Sequence, residues 1–218
     1  LRQQRVQGTV KEWLPGYEKE INEVKRRRLR SLTPMEVLQL KKNKTKTVSL
    51  RMNLEPKHDG RKKCRQILRG FQEPREWDRG PNDAPVASQA TIRTIIFKAG
   101  GDDEIVSSID VATAFLQSDP YSESDPKRYV TYKPHKAAPV EYYQLLGSIY
   151  GMRSGSMSWF KTLTKWLEQQ GFESGADEPC VYTHKDTGLT VCCFVDDLLL
   201  RGKQKDTEEF YKALEARF

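Results

Sequence analysis

The sequence predicts an α+β protein in which an antiparallel sheet is backed by helices and is preceded by a basic β-hairpin. Three observations lead to this prediction. From residue 104 onward, segments with strand periodicity alternate with segments of helical periodicity. Before them, two basic strand-like segments flank the turn His58-Asp59-Gly60. No apolar run approaches the ~18–20 residues of a membrane-spanning helix, and 218 residues can form one large domain or two small ones.

The sequence of residues 1–45 indicates a basic helical segment. The run Lys25–Arg28 lies within a polar stretch that can form a helix. Thr33-Pro34-Met35-Glu36 has the pattern of a capping box with proline at the first helical position. The short helix that follows should end near Asn43.

The basic hairpin comes next. Residues 47–56 alternate apolar and polar side chains, which is typical of a strand, and a second strand is expected over residues 62–71. Basic residues lie on or near both strands: Arg51, Lys57, Arg61, Lys62, Lys63, Arg65 and Arg69. Residues 72–87 are rich in proline, aspartate and glycine and indicate a loop.

The remaining elements follow from periodicity and capping signals. The expected strands cover residues 104–110, 128–133, 142–147, 180–184 and 190–200, the last two pairing across Asp186-Thr187-Gly188. The expected helices are one capped by Ser88 that runs to Lys98 and ends at Gly100-Gly101, a short one at 111–117, a long amphipathic one at 154–170, and one that starts at Asp206 with Glu209 closing a capping box.

Charge is unevenly distributed along the chain. Residues 1–75 hold 21 Lys and Arg against 8 Asp and Glu, whereas the remainder holds 16 against 22. A basic first third with an acidic remainder indicates a polyanionic partner and, separately, a carboxylate site that binds cations. A solvated charged face would give the same counts.

Two aspartates lie in an unusual neighbourhood. Asp196 and Asp197 stand between apolar residues in the segment Val191–Leu200, where an unpartnered carboxylate would cost several kcal/mol. They therefore lie at the exposed tip of a tight hairpin or hold a cation. Asp110 ends the strand predicted at 104–110 and, taken alone, could simply cap the next helix. Together the three carboxylates suit Mg²⁺, which prefers oxygen ligands.

The four cysteines do not indicate a zinc site. None of them forms a C-x-x-C pair, and two lie inside the apolar stretch around residue 192. Buried, reduced thiols of an intracellular protein are the expected state.

Several motifs, in one order, resemble those of copia-type (LTR-retrotransposon) reverse transcriptases. The similar segments are K-C-R-Q-I-L-R-G-F-Q at 63–72, I-D-V-A-T-A-F-L at 109–116, L-L-G-S-I-Y-G-M-R-S-G-S-M-S-W at 145–159, W-L-E-Q-Q-G-F at 166–172, D-E-P-C-V-Y at 177–182 and F-V-D-D-L-L at 194–199. The resemblance covers roughly residues 55–218.

This resemblance implies a palm-type polymerase fold with a ferredoxin-like antiparallel sheet. Residues 46–103 would form the fingers and residues 104–218 the palm, cut from a longer retrotransposon polyprotein with a thumb and an RNase H domain. The implied activity is that of an RNA-directed DNA polymerase, which uses dNTPs, an RNA template and a DNA primer, together with two Mg²⁺ or Mn²⁺ ions. The implied location is the cytoplasm, virus-like particles or the nucleus. Three alternatives stay open: a catalytically incompetent nucleic-acid-binding remnant, an RNA-dependent RNA polymerase, and an RNA-recognition-type sheet module, which would have no reason for the three carboxylates.

The resemblance also implies roles for individual residues. Asp110 and Asp196 would be the principal metal ligands, assisted by Asp197 and the backbone carbonyl of Val111. Phe115 would exclude a ribose 2′-hydroxyl, unless it is an ordinary core aromatic. The remaining nucleotide-binding residues would be Lys63 and Arg65, which contact the triphosphate, and Tyr150, Gly151 and Arg153, which line the template and nucleotide side. A solvated strand face is the alternative for Lys63 and Arg65, and core packing is the alternative for Tyr150.

Overall fold

The structure is a computed structural model that describes residues 9–77, 80–98, 103–175 and 177–218. The α-helices in these ranges are α1 (Val10–Arg28), α2 (Pro34–Lys42), α3 (Gln89–Phe97), α4 (Gly155–Gln169) and α5 (Gln204–Arg217). The strands are β1 (Leu29–Ser31), β2 (Val48–Pro56), β3 (Lys62–Leu68), β4 (Glu104–Asp110), β5 (Arg128–Tyr132), β6 (Glu141–Leu145), β7 (Phe172–Ser174), β8 (Val181–His184), β9 (Thr190–Phe194) and β10 (Asp197–Lys203). This is a mixed α+β protein, and no described helix is long and apolar enough to cross a membrane.

The chain divides into two compact units, each of which is discontinuous in sequence. Residues 1–80 and 120–155 form the first unit, and residues 81–119 and 156–218 form the second. The predicted fingers and palm were continuous segments with a boundary at residue 103, so that assignment stays a prediction.

The first unit contains a five-stranded sheet in the order β1-β6-β5-β2-β3. The β2–β5 pair is parallel, and the other pairs are antiparallel. The alternation predicted for residues 47–56 is confirmed, because Val48 and Leu50 are buried while Arg51 is exposed. The capping box at Thr33 is also confirmed, since the Glu36 amide donates to Thr33 Oγ1 at 3.3 Å.

The second unit contains an antiparallel sheet in the order β4-β10-β9-β8-β7. Alternate side chains of these strands face two different apolar clusters. On one face Leu198 and Leu200 pack into the main core with Trp159, Leu163, Trp166, Leu167, Phe210 and Leu214 from α4 and α5. On the other face Cys192 packs with Ile95 of α3. The four cysteines are free and buried, as predicted.

Two predicted elements are wrong in the middle of the chain. The strand expected over 190–200 is interrupted, because Val195 adopts a left-handed conformation (φ 58°) and the chain turns between β9 and β10. The helix expected at 111–117 is reduced to a 3₁₀ turn at Ala114–Gln117, because Thr113 is also left-handed (φ 54°). Each break lies within three residues of an aspartate, Val195 beside Asp196 and Thr113 three residues after Asp110.

Other differences concern element ends. The second hairpin strand ends at Leu68 rather than near residue 71, since a 3₁₀ turn begins at Gly70. Helix α5 begins at Gln204, so Asp206 lies within its first turn instead of capping it. Ser88 does cap α3, accepting a hydrogen bond from the Thr91 amide at 3.0 Å. The predicted stop at Gly100-Gly101 lies outside the described residues.

Candidate active site

An acidic group lies at one end of the second sheet. In the antiparallel β4–β10 pair, Asp110 and Asp197 are direct cross-strand partners, so their side chains leave the sheet on the same face. The amide of Val111 donates to the carbonyl of Asp196 at 2.9 Å. The structure therefore brings together four of the predicted site residues, Asp110, Val111, Asp196 and Asp197.

The turn that carries Asp196 is fixed by a residue from α4. The indole Nε1 of Trp159 donates to the carbonyl of Val195 at 2.8 Å, and Trp159 is only 1% exposed. A β-branched residue at positive φ is strained by about 1–3 kcal/mol. A buried side-chain donor offsets this strain and orients the turn. Trp159 was not among the predicted site residues, although it ends the motif at 145–159 and that motif was the available signal.

The electrostatics of this group favour a cation. Partial loss of hydration raises the pKa of the Asp197 carboxyl, and the negative charges of Asp196 and Asp110 raise it further. All donors are oxygens, which suit Mg²⁺, and a cation would relieve the crowding of like charges. Within the described ranges, however, no three Asp, Glu, His or Cys side chains are grouped closely enough to hold a metal ion. The backbone positions suit a metal site, but the side chains have not converged on one.

Phe115 lies in the 3₁₀ turn that follows Asp110. The ring is half-buried and packs against the main core of the second unit. Its carbonyl accepts a hydrogen bond from Ser118 Oγ at 3.0 Å. Phe115 thus makes the core contacts that an ordinary aromatic would make, and its role beside a sugar stays a prediction.

A basic group lies on β3 in the first unit. Lys63 and Arg65 are two residues apart and share one face of the hairpin with their cross-strand partners Glu55 and Asn53. Both are half-buried. The guanidinium carbon of Arg65 lies 5.4 Å from the centre of the Tyr150 ring, which is a cation–π distance. This contact favours one orientation of the half-buried Arg65 side chain.

The segment that contains Tyr150 is locked onto the end of β3. The amide of Leu68 donates to the Tyr150 carbonyl at 2.8 Å. Gly151 has φ +84°, and a Cβ there would collide with the carbonyl oxygen of Leu68, so glycine alone fits. The structure therefore brings Arg65, Tyr150 and Gly151 together.

Arg153 is held in the same neighbourhood. Its amide donates to Glu73 Oε1 at 2.9 Å, and its guanidinium donates to the Glu73 carbonyl at 3.3 Å. Glu73 is 6% exposed. Sequence reasoning missed Glu73, because a single acid in an irregular loop carries no periodic or motif signal.

Comparison with known proteins gives two results. A family model described as "Reverse transcriptase (RNA-dependent DNA polymerase)" matches residues 35–218. Similar curated proteins of Saccharomyces cerevisiae include the Transposon Ty1-DR4, TyH3 and Ty1-OR Gag-Pol polyproteins, each 28% identical over 155 residues. The alignments cover 70% of this chain but only 8–9% of those polyproteins. These results confirm the resemblance to copia-type reverse transcriptases.

Proposed function

The chain belongs to the reverse transcriptase (RNA-dependent DNA polymerase) family, and we propose that it forms the fingers and palm of an RNA-directed DNA polymerase within a retrotransposon polyprotein. One observation carries the proposal. The register of β4 and β10 sets Asp110 opposite Asp197, and the Val111 amide joins Asp110's strand to the carbonyl of Asp196. Three carboxylates at one sheet end serve no packing purpose, and they fit a cation-dependent reaction on an anionic substrate.

The proposed reaction is nucleotidyl transfer. The primer 3′-hydroxyl loses its proton to water and its oxygen forms a bond to the α-phosphorus of a dNTP, while the bond from that phosphorus to the bridging oxygen breaks and pyrophosphate leaves with the electron pair. Asp110 and Asp196 would hold Mg²⁺, with Asp197 and the Val111 carbonyl assisting. When bound, two such ions lower the pKa of the attacking hydroxyl and stabilise charge on the leaving group.

The chain's other residues would bind and orient the nucleotide. Lys63 and Arg65 offer an ammonium and a planar guanidinium to the triphosphate. The contact of the Arg65 guanidinium with the Tyr150 ring, at 5.4 Å from the ring centre, would favour one orientation of its donors before the ligand arrives. Phe115, two residues past a left-handed turn, would limit the volume beside the ribose C2′.

A primer-extension assay on homopolymer RNA tests the proposal. We expect extension with dNTP and Mg²⁺, and a loss of about 10²–10³-fold or more in Asp110→Asn, comparable to the removal of other transition-state electrostatics. Asp186→Asn is a matched control, since Asp186 is an exposed aspartate in the turn between β8 and β9, and its substitution should leave the rate unchanged. Preference for rNTP would indicate an RNA polymerase instead. Equal rates in Asp110→Asn and wild type would contradict the assigned site.

A further inference from the structure

Helix α1 lies beside the open edge of the first sheet. Strand β3 is the last strand in the order β1-β6-β5-β2-β3, and an edge strand presents backbone groups that need a partner or a cover. The family match begins at residue 35, so α1 lies outside it and its role is not explained by the family.

Successive residues of α1 contact successive residues of β3. Glu12 lies 3.6 Å from the Lys62 ammonium, and the carbonyl of Trp13 lies 3.9 Å from the sulfur of Cys64. Farther along, Glu20 Oε1 accepts a hydrogen bond from the backbone amide of Gln66 at 2.8 Å. The helix therefore runs alongside the strand in the same direction.

The spacing of these contacts matches the two geometries. From Glu12 to Glu20 a helix rises about 12 Å at ~1.5 Å per residue. From Lys62 to Gln66 a strand rises about 13 Å at ~3.3 Å per residue. Gly16 lies midway, and a Cβ there would stand only 3.1 Å from the Lys62 carbonyl oxygen. The absence of a side chain at Gly16 lets the helix approach the edge.

Among the α1 residues that contact β3, Glu20 interacts with the basic residues Lys63 and Arg65. Its carboxylate is half-buried, and the amide that it accepts from belongs to the residue next to Arg65. Removal from water raises the pKa of Glu20, while the Gln66 amide and the charges of Arg65 and Lys63 oppose the rise. The carboxylate thus interacts electrostatically with both cations, but its hydrogen bond is with the backbone of the strand.

We propose that Glu20 is a positioning residue for nucleotide binding: its hydrogen bond to the Gln66 amide holds the edge strand in the register that presents Lys63 and Arg65 to a triphosphate. This inference rests on the proposed function. The charge of Glu20 acts in the opposite direction, because a carboxylate near two cations weakens anion binding. The two effects therefore predict opposite consequences when the residue is changed.

The test compares Glu20→Ala, Glu20→Gln and the control Glu18→Ala in the full chain. Glu18 is an exposed glutamate on the same helix. The readouts are hydrogen exchange at the Gln66 amide and the affinity for inorganic tripolyphosphate, measured calorimetrically without Mg²⁺. For Glu20→Ala we expect faster exchange and an affinity lower by about 2–10-fold, the range for one net hydrogen bond. Glu20→Gln keeps an acceptor and should retain protection, with affinity equal to or above wild type. Glu18→Ala should change neither.

Two outcomes would overturn the inference. If Glu20→Ala binds tripolyphosphate as tightly as wild type, the hydrogen bond between Glu20 and the Gln66 amide does not position the cations. If both Glu20 variants bind more tightly, the charge of Glu20 outweighs its hydrogen bond. Lys63→Ala and Arg65→Ala distinguish failure of this inference from failure of the proposed function. If neither variant weakens tripolyphosphate binding, the basic group has no nucleotide role. If both weaken it while Glu20→Ala binds as wild type does, only the inference about Glu20 is contradicted.

Discussion

The two units differ in the sign of their net charge and in the contacts that their charged side chains make. The first unit holds 27 Lys and Arg against 13 Asp and Glu, a net charge of +14, and the second holds 10 against 17, a net charge of −7. In the first, Arg65 and Arg153 are already oriented by an aromatic ring and by Glu73. In the second, partial loss of hydration and then the negative charges of Asp196 and Asp110 raise the pKa of the Asp197 carboxyl.

Under the proposed function, this difference corresponds to the ligand that each group would bind, a triphosphate in the first unit and a metal ion in the second. A guanidinium that is stacked on a ring keeps its planar donors ready for phosphate oxygens and needs no further rearrangement. Under the proposed function, a cation bound by the carboxylates of the second unit would reduce the repulsion between them. The first unit is organised in advance, while the second would be organised by its metal.

The largest expected effect tests the rigidity of the first unit. Gly151→Ala places a methyl group against the Leu68 carbonyl at a positive φ, and we expect it to lower the free energy of unfolding by about 2–4 kcal/mol. Gly60→Ala is the control, since Gly60 also has positive φ but no atom within 4 Å of its added Cβ. Urea denaturation measures both. Equal losses in the two variants would show that the close approach at Gly151 adds nothing.

A second prediction concerns Phe115 in the second unit. Phe115→Val should raise the use of rNTP relative to dNTP by about 10²-fold, or roughly 3 kcal/mol of differential transition-state binding. The ratio of kcat/KM values for the two nucleotides measures this. Ala213, another residue packed on the same core, gives the control Ala213→Gly, which should lower stability without changing the ratio. An unchanged ratio with a lower Tm would assign Phe115 to the core alone.

A third prediction concerns salt. The logarithm of the binding constant for nucleic acid should fall linearly with the logarithm of the salt concentration. Replacing Lys63 and Arg65 with alanine should reduce the magnitude of this slope by about one per lost phosphate contact. The same change at Lys185 and Lys205, exposed cations of the second unit, should leave the slope unaltered. Fluorescence anisotropy with a labelled RNA–DNA duplex would measure both slopes. Identical slopes in all variants would place Lys63 and Arg65 on a solvated face.

The smallest expected effect tests the repulsion in the second unit. Asp197→Asn should stabilise the folded protein at pH 7 by about 0.2–1 kcal/mol, because it removes one of two directly opposed like charges. The folded-state pKa of Asp197 is raised, so wild type loses stability as pH rises from the usual carboxyl pKa through the raised one. The advantage of the variant should therefore disappear below the usual pKa. Thermal unfolding across this pH range measures it, and a variant that is less stable at pH 7 would contradict the repulsion.

Local signals predicted some elements well. Strand β4 was predicted with its observed ends, because the β-branched residues Ile105, Val106 and Ile109 favour a strand that ends at Asp110. The caps at Thr33 and Ser88 were predicted because an N-cap involves residues only three positions apart. Their hydrogen bonds lie within one turn and need no tertiary information.

Features that depend on distant residues could not be predicted in this way. Nothing local indicates that Val195 will adopt a positive φ, since the stabilising donor is the Trp159 indole of another element. The same holds for the contact of Glu20 with Gln66, which joins residues 46 positions apart. The resemblance named the residues of both candidate groups, but it did not supply the backbone contacts that hold them.

The strand order of the first unit has a consequence for synthesis on the ribosome. Strands β5 and β6 lie between β1 and β2, so the pairing of β1 must wait until residue 145 has been made. By then residues 81–119, which belong to the second unit, have already been synthesised. Because non-local pairing is slow and leaves strand edges exposed, the growing chain carries an unfinished first sheet through this interval.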